Sequence, residues 1–160
     1  MGVMANSPAF LKAYRSVAAH FDTTSLTPTE RQIILLTVSA LNGCNYCMAA
    51  HTVIAGMQKV DAQIVDALRK GNPLADDRLE ALRLFAADVV ETRGWPSEAS
   101  KNRFLAVGYS PSQMLEVVLG IGLKTLSNYA NHLAGTPLDS AFAKAAWTQP
   151  ASQSSQCCAH

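Results

Sequence analysis

The chain has 160 residues, enough for one domain with a real core and too few for two. Half of it is apolar and 16% is charged, which excludes a disordered chain; a formal net charge of +1 gives no electrostatic case for nucleic acid or an anionic membrane. No run of eighteen apolar residues appears and Met1 to Phe10 lacks a basic-then-apolar leader, so the expectation is a cytosolic protein with no membrane span.

In chain order, residues 1–7 read as a loose lead-in. A helix follows from Pro8, with Phe10, Leu11, Tyr14, Val17, Ala18 and Phe21 at helical spacing. Thr27-Pro28-Thr29-Glu30 has the spacing of a capping box and opens a helix that is apolar nearly all round up to Leu41. Asn42-Gly43 ends it. The next helix runs from about Cys44 to Met57. An amphipathic helix follows over Asp61 to Lys70, with Ile64, Val65 and Leu68 inward, and another over Asp77 to Thr92. A helix over Ser97 to Val107 places Phe104 and Leu105 inward. Ser110-Pro111-Ser112 starts a long helix reaching Ala134, and a last short helix is expected over Leu138 to Trp147. Met48, Met57 and Met114 read as core. No strand alternation is convincing. The fold class is therefore all-α, one domain of seven or eight helices over 1–147 with a polar, mobile tail over 148–160. Two helices apolar on most faces favour a homo-oligomer.

The chemistry concentrates in Asn42 to His51. Cys44, Cys47 and His51 fall within about 60° on one helical face. Two thiols on adjacent turns can close a disulfide, and a helix N-terminus, a second thiol and a nearby imidazole all favour thiolate. Such a thiolate attacks peroxide to give a sulfenic acid, and a second thiol condenses with it. The dipole favours Cys44 as attacker and the i+4 histidine favours Cys47, so the residues alone leave this even. Two other readings stand beside redox chemistry. One is a pair of cysteines packed as small apolar residues. The other is a zinc site of Cys44, Cys47 and His51 with Cys157, Cys158 or His160 as fourth ligand. His20 and His132 read as non-catalytic, Tyr46 as a structural aromatic, and Cys157 and Cys158 as tail thiols.

Val38-Ser39-Ala40-Leu41-Asn42-Gly43-Cys44-Asn45-Tyr46-Cys47 with His51 resembles the alkylhydroperoxidase D-like branch of the carboxymuconolactone decarboxylase superfamily. Phe104 to Ser110 and Asn128 to Asp139 extend the resemblance, which covers most of residues 26–139. It implies an all-α domain assembling as a homotrimer or homohexamer and a peroxide-reducing thiol activity in antioxidant defence. The implied electron donor is a lipoyl-type or thioredoxin-like dithiol. No cofactor and no metal are implied. Carried over, Cys47 is peroxidatic, Cys44 resolving and His51 assisting. The best-studied branch places a relay glutamate twelve residues before the first cysteine; here that position is Gln32, which holds a hydrogen bond but carries no proton as a carboxylate does. Glu30 lies about 200° further round the helix and is no obvious substitute. Two alternatives follow: the lyase activity that names the superfamily, which needs no cysteine pair, and a non-enzymatic redox- or metal-sensing module.

Overall fold

Thr27 caps its helix by accepting from the Glu30 N–H (3.2 Å), and Glu30 Oε2 accepts from the Thr27 N–H (2.7 Å), so the expected capping box is present. Behind it α2 (Pro28–Leu41) is buried on almost every side, from Gln32 through Ala40. It is the axis of the fold: α5, α3, α7 and α4 all pack on it. This computed structural model describes residues 2–150. Among them are α1 (Pro8–Asp22), α2, α3 (Asn45–Met57), α4 (Ala62–Lys70), α5 (Asp77–Glu91), α6 (Glu98–Ala106) and α7 (Pro111–Ala134), with no strand. The all-α expectation holds, and no single helix among the described residues is long and apolar enough to cross a membrane.

The starts of the helices are set by side-chain caps: Ser7, Asp61, Asp76, Ser97 and Ser110 each accept from a first-turn N–H, worth about 1 kcal/mol apiece. Gly135 ends α7 in the left-handed conformation, as its lack of a Cβ allows. Gly120 has a different task. A Cβ there would stand 2.8 Å from the Phe21 ring and 2.9 Å from Ile34 Cγ2, so only glycine lets α7 close on α1 and α2.

Five expectations need correction. The lead-in contains a 3-10 turn, Val3–Asn6, whose Met4 is buried. Met57 is 78% exposed because it ends α3 on the solvent side, and Leu105 lies outward on α6 while Phe104 is buried. The last helix is a 3-10 segment, Ser140–Ala145, rather than a longer α-helix, and it stops before Trp147. That ring is buried, with its indole N–H donating to the Arg69 carbonyl (2.8 Å). The tail is ordered two residues past Trp147, since Gln149 Nε2 donates to the Ala40 carbonyl (3.1 Å). Cys157, Cys158 and His160 lie outside the described residues.

Candidate dithiol site

The chain leaves α2 through Asn42 and Gly43, and Gly43 takes a positive φ of 63° that a side chain would resist. The turn is held by the Cys44 N–H, which donates to the Ser39 carbonyl (2.9 Å). Cys44 is therefore the N-cap of α3 and Cys47 its third residue, both buried and both free thiols. Each sits where the unpaired amides of a helix N-terminus favour negative charge.

Three polar side chains of α7 converge on the Cys47 sulfur. Asn131 Nδ2 donates to it at 3.3 Å, and Ser127 Oγ lies 3.9 Å away. Asn128 Oδ1 accepts from Asn42 Nδ2 (2.9 Å), its buried Nδ2 makes no hydrogen bond, and its dipole favours the Cys47 anion. The hydrogen bond from the Cys44 thiol, helped by the charge of Lys124, overcomes burial and lowers Cys47 from 9.0 to about 5. The same hydrogen bond, with burial, pushes Cys44 far up. The pair is thus biased toward the anion at Cys47 and the thiol at Cys44.

His51 projects from the next turn. Its Nδ1 meets Gln32 Oε1 at 3.0 Å, and its Nε2 meets Lys124 Nζ at 2.9 Å. The Gln32 amide is oriented by its Nε2 donating to Gln58 Oε1 (3.1 Å), so Oε1 is left to accept from the imidazole. His51 is then the neutral Nδ1–H tautomer, with Nε2 accepting from the lysine. Burial first, and Lys124 second, depress its pKa well below the ordinary value. Gln32 stands beside His51. Glu30 does not serve in its place: it is bound to Arg78 and Tyr109 on the far side of the helix.

Lys124, which is not among the candidates the sequence offers, joins the site. It is 1% exposed, and it is the only Asp, Glu, Lys or Arg between Val117 and Ala134. Desolvation lowers its pKa, and the Cys47 charge and hydrogen bond oppose that. The signal was there: Lys124, Ser127, Asn128 and Asn131 recur at i, i+3, i+4 and i+7 in an otherwise apolar helix. Tyr14 was also missed as a neighbour of the site; burial and then the Cys47 charge raise its phenol. Tyr46 has a structural role, donating to Asp139 Oδ2 (2.6 Å) and meeting Phe142 edge-on. These contacts lay the C-terminal segment over the start of α3.

No group of three or more His, Cys, Asp or Glu side chains converges as a metal would require among the described residues. A cavity of about 480 Å³ lies elsewhere, between α2, α4, α5 and α6, and none of the dithiol residues lines it.

Comparisons with known proteins agree with this architecture. An uncharacterized peroxidase-related protein from Ralstonia eutropha JMP134, described as an alkylhydroperoxidase AhpD core, superposes with a TM-score of 0.78 at 22% identity. That match covers 87% of this chain and 75% of the other. An uncharacterized peroxidase-related protein from Silicibacter sp. TM1040 gives 0.73 at 21% identity, over 82% and 71% of the two chains. The Agrobacterium tumefaciens protein ATU0492, a putative antioxidant defence protein AhpD, gives 0.70 at 17%, over 87% and 98%. These likenesses carry the fold. No curated protein matches the chain. The sequence profile of the carboxymuconolactone decarboxylase family matches residues 7–88, just over half of the 160. On that match the chain belongs to the carboxymuconolactone decarboxylase family, with the alkylhydroperoxidase D-like fold.

Proposed function

We propose that the protein is a thiol-dependent peroxidase that cycles Cys44 and Cys47 between dithiol and disulfide. The observation that carries this is the setting of the pair: two buried free thiols at the N-terminus of α3, with Asn131 Nδ2 donating to the Cys47 sulfur at 3.3 Å and Ser127 Oγ 3.9 Å from it, a setting that favours the anion at Cys47. The Cys47 thiolate attacks the terminal oxygen of a hydroperoxide. An S–O bond forms, the O–O bond breaks, sulfur is oxidised to a sulfenic acid, and the alcohol leaves. The Cys44 thiol then displaces water from that sulfenic acid and forms the disulfide. An external dithiol, of lipoyl or thioredoxin-like chemistry, reduces it by exchange. His51 orients the site through Gln32 and Lys124, and the working form is a homo-oligomer. In support of the last point, Leu115, Val118, Tyr129 and Leu133 of α7 are exposed, Leu133 at 92%.

The test is peroxide consumption with a dithiol donor. Wild type consumes peroxide and forms a Cys44–Cys47 disulfide visible by mass spectrometry. Cys47→Ser loses turnover by at least about 10³-fold, as removal of a nucleophile does. Cys44→Ser oxidises once and accumulates a Cys47 sulfenic acid that a dione reagent captures. Undiminished consumption in Cys47→Ser would sink the reading. Conversion of a muconolactone by the double Cys→Ser variant would revive the lyase.

A further inference from the structure

A thiolate that cleaves a hydroperoxide expels an alkoxide, which is a strong base and needs a proton as the O–O bond breaks. Cys44 keeps its proton for the condensation step, and the remaining candidates around Cys47 lie on four helices. From α1 comes Tyr14, whose phenol is made less acidic by burial and by the thiolate. From α3 come Tyr46, already donating to Asp139, and His51. His51 carries its proton on Nδ1, turned away toward Gln32, and its Nε2 is an acceptor. From α2 comes Gln32, which does not titrate. From α7 comes Lys124, a cation whose Nζ meets His51 Nε2 at 2.9 Å and whose charge interacts with Cys47.

We propose that Lys124 is the proton donor of this site, aimed by His51 and Gln32. The assignment rests on the peroxidase reading above and deepens it. Lys124 Nζ stands 2.9 Å from His51 Nε2, and burial removes its hydration. Its charge is balanced by the Cys47 thiolate, and no carboxylate is hydrogen-bonded or ion-paired to it among the described residues. Oxidation of Cys47 therefore removes the counter-ion of the lysine in the step that creates a base. The ammonium gives its proton to the departing alkoxide and becomes a neutral amine. Condensation of Cys44 with the sulfenic acid releases water and leaves the amine neutral. Reduction of the disulfide by the external dithiol returns two protons to the pair, and the one on Cys47 passes to Lys124, restoring thiolate and ammonium. Protons and electrons balance over the cycle. This arrangement also accounts for Gln32. A carboxylate there would hold His51 as imidazolium, with N–H on both nitrogens, and His51 would no longer accept from Lys124.

The experiment uses the reduced full-length protein in three forms: wild type, Lys124→Met and Lys124→Arg. Methionine matches the aliphatic length and removes a buried charge, so that variant is expected to fold. Thiolate is followed by absorbance at 240 nm against pH, with Cys47→Ser subtracted. Single-turnover oxidation by a hydroperoxide is followed in parallel. Lys124→Met is expected to shift thiolate formation at Cys47 to higher pH and to slow oxidation. Lys124→Arg is expected to keep the thiolate but oxidise at least about 10²-fold more slowly, because a guanidinium does not release its proton. Oxidation of Lys124→Arg at the wild-type rate overturns the donor role and leaves the peroxidase reading intact. Unchanged thiolate and rate in Lys124→Met overturn it too. A wild type that reacts with no hydroperoxide removes the peroxidase reading and the donor role with it.

Discussion

Two buried ionisable clusters flank α2, and they are built on opposite terms. On one side Glu30, 2% exposed, receives the Thr27 N–H (2.7 Å), the Tyr109 hydroxyl (2.8 Å) and the Arg78 guanidinium (2.5 Å). Arg78 also lies over the Tyr109 ring, 4.0 Å from its centroid. On the other side Lys124 has an imidazole and the Cys47 sulfur but, among the described residues, no carboxylate. The first cluster satisfies its charge several times over, which ties α2 to α5 and to the turn before α7. The second leaves a cation dependent on a sulfur that chemistry can change. Redundant pairing makes a structural joint, whereas a single labile counter-ion is what the proposed chemistry requires.

The comparison breaks most visibly at Glu30. Glu30→Ala leaves Arg78 and Tyr109 without their shared partner and is expected to cost about 3 kcal/mol in chemical denaturation. Peroxide consumption per folded molecule should stay unchanged, and a large loss there would show that the two clusters are coupled.

The pH dependence of stability separates the clusters by a smaller effect. Burial raises the Glu30 pKa, but the Thr27 backbone and hydroxyl, Tyr109 and Arg78 outweigh it and hold it below 4.5. A depressed carboxyl contributes stability that is full above its unfolded value and is lost as pH falls through the folded one. Its window is therefore the acid limb below about pH 4.5. Cys47 is depressed from 9.0 to about 5, so its contribution is full above pH 9 and fades as pH falls toward 5. Denaturation of reduced protein across pH should show Cys47→Ser flattening the upper window while the acid limb persists. Identical slopes in wild type and variant would refute the assignment.

The smallest effect comes from giving the second cluster a carboxylate. In Gln32→Glu the imidazole of His51 should be protonated at about pH 6, where in wild type it is neutral, and the fold should be preserved. Imidazole carbon–proton NMR shifts read this directly, and a neutral ring in the variant would show that the residue at 32 does not govern His51.

Much of the scaffold was legible because its signals are local. The Thr27–Glu30 box, the prolines at helix starts and the Gly135 stop act within one turn of chain, so their letters carry their meaning. Leu105 and Met57 were misplaced because helical spacing defines a stripe but not where its edge meets solvent. The 3-10 segment Ser140–Ala145 is not an α-helix as its letters suggest, since its small residues set no boundary and its place is fixed by Tyr46 and Arg69 from elsewhere in the chain.

The sequence by itself determined the all-helical fold, the buried α2 and the placing of Cys44 and Cys47 at the start of α3, because a thiol pair two residues apart needs only local geometry. Tertiary structure alone decided which groups serve those thiols. Lys124 is 80 residues from Cys44, and Gln32 reaches His51 from another helix; a buried cation announces itself only when the fold shows what surrounds it.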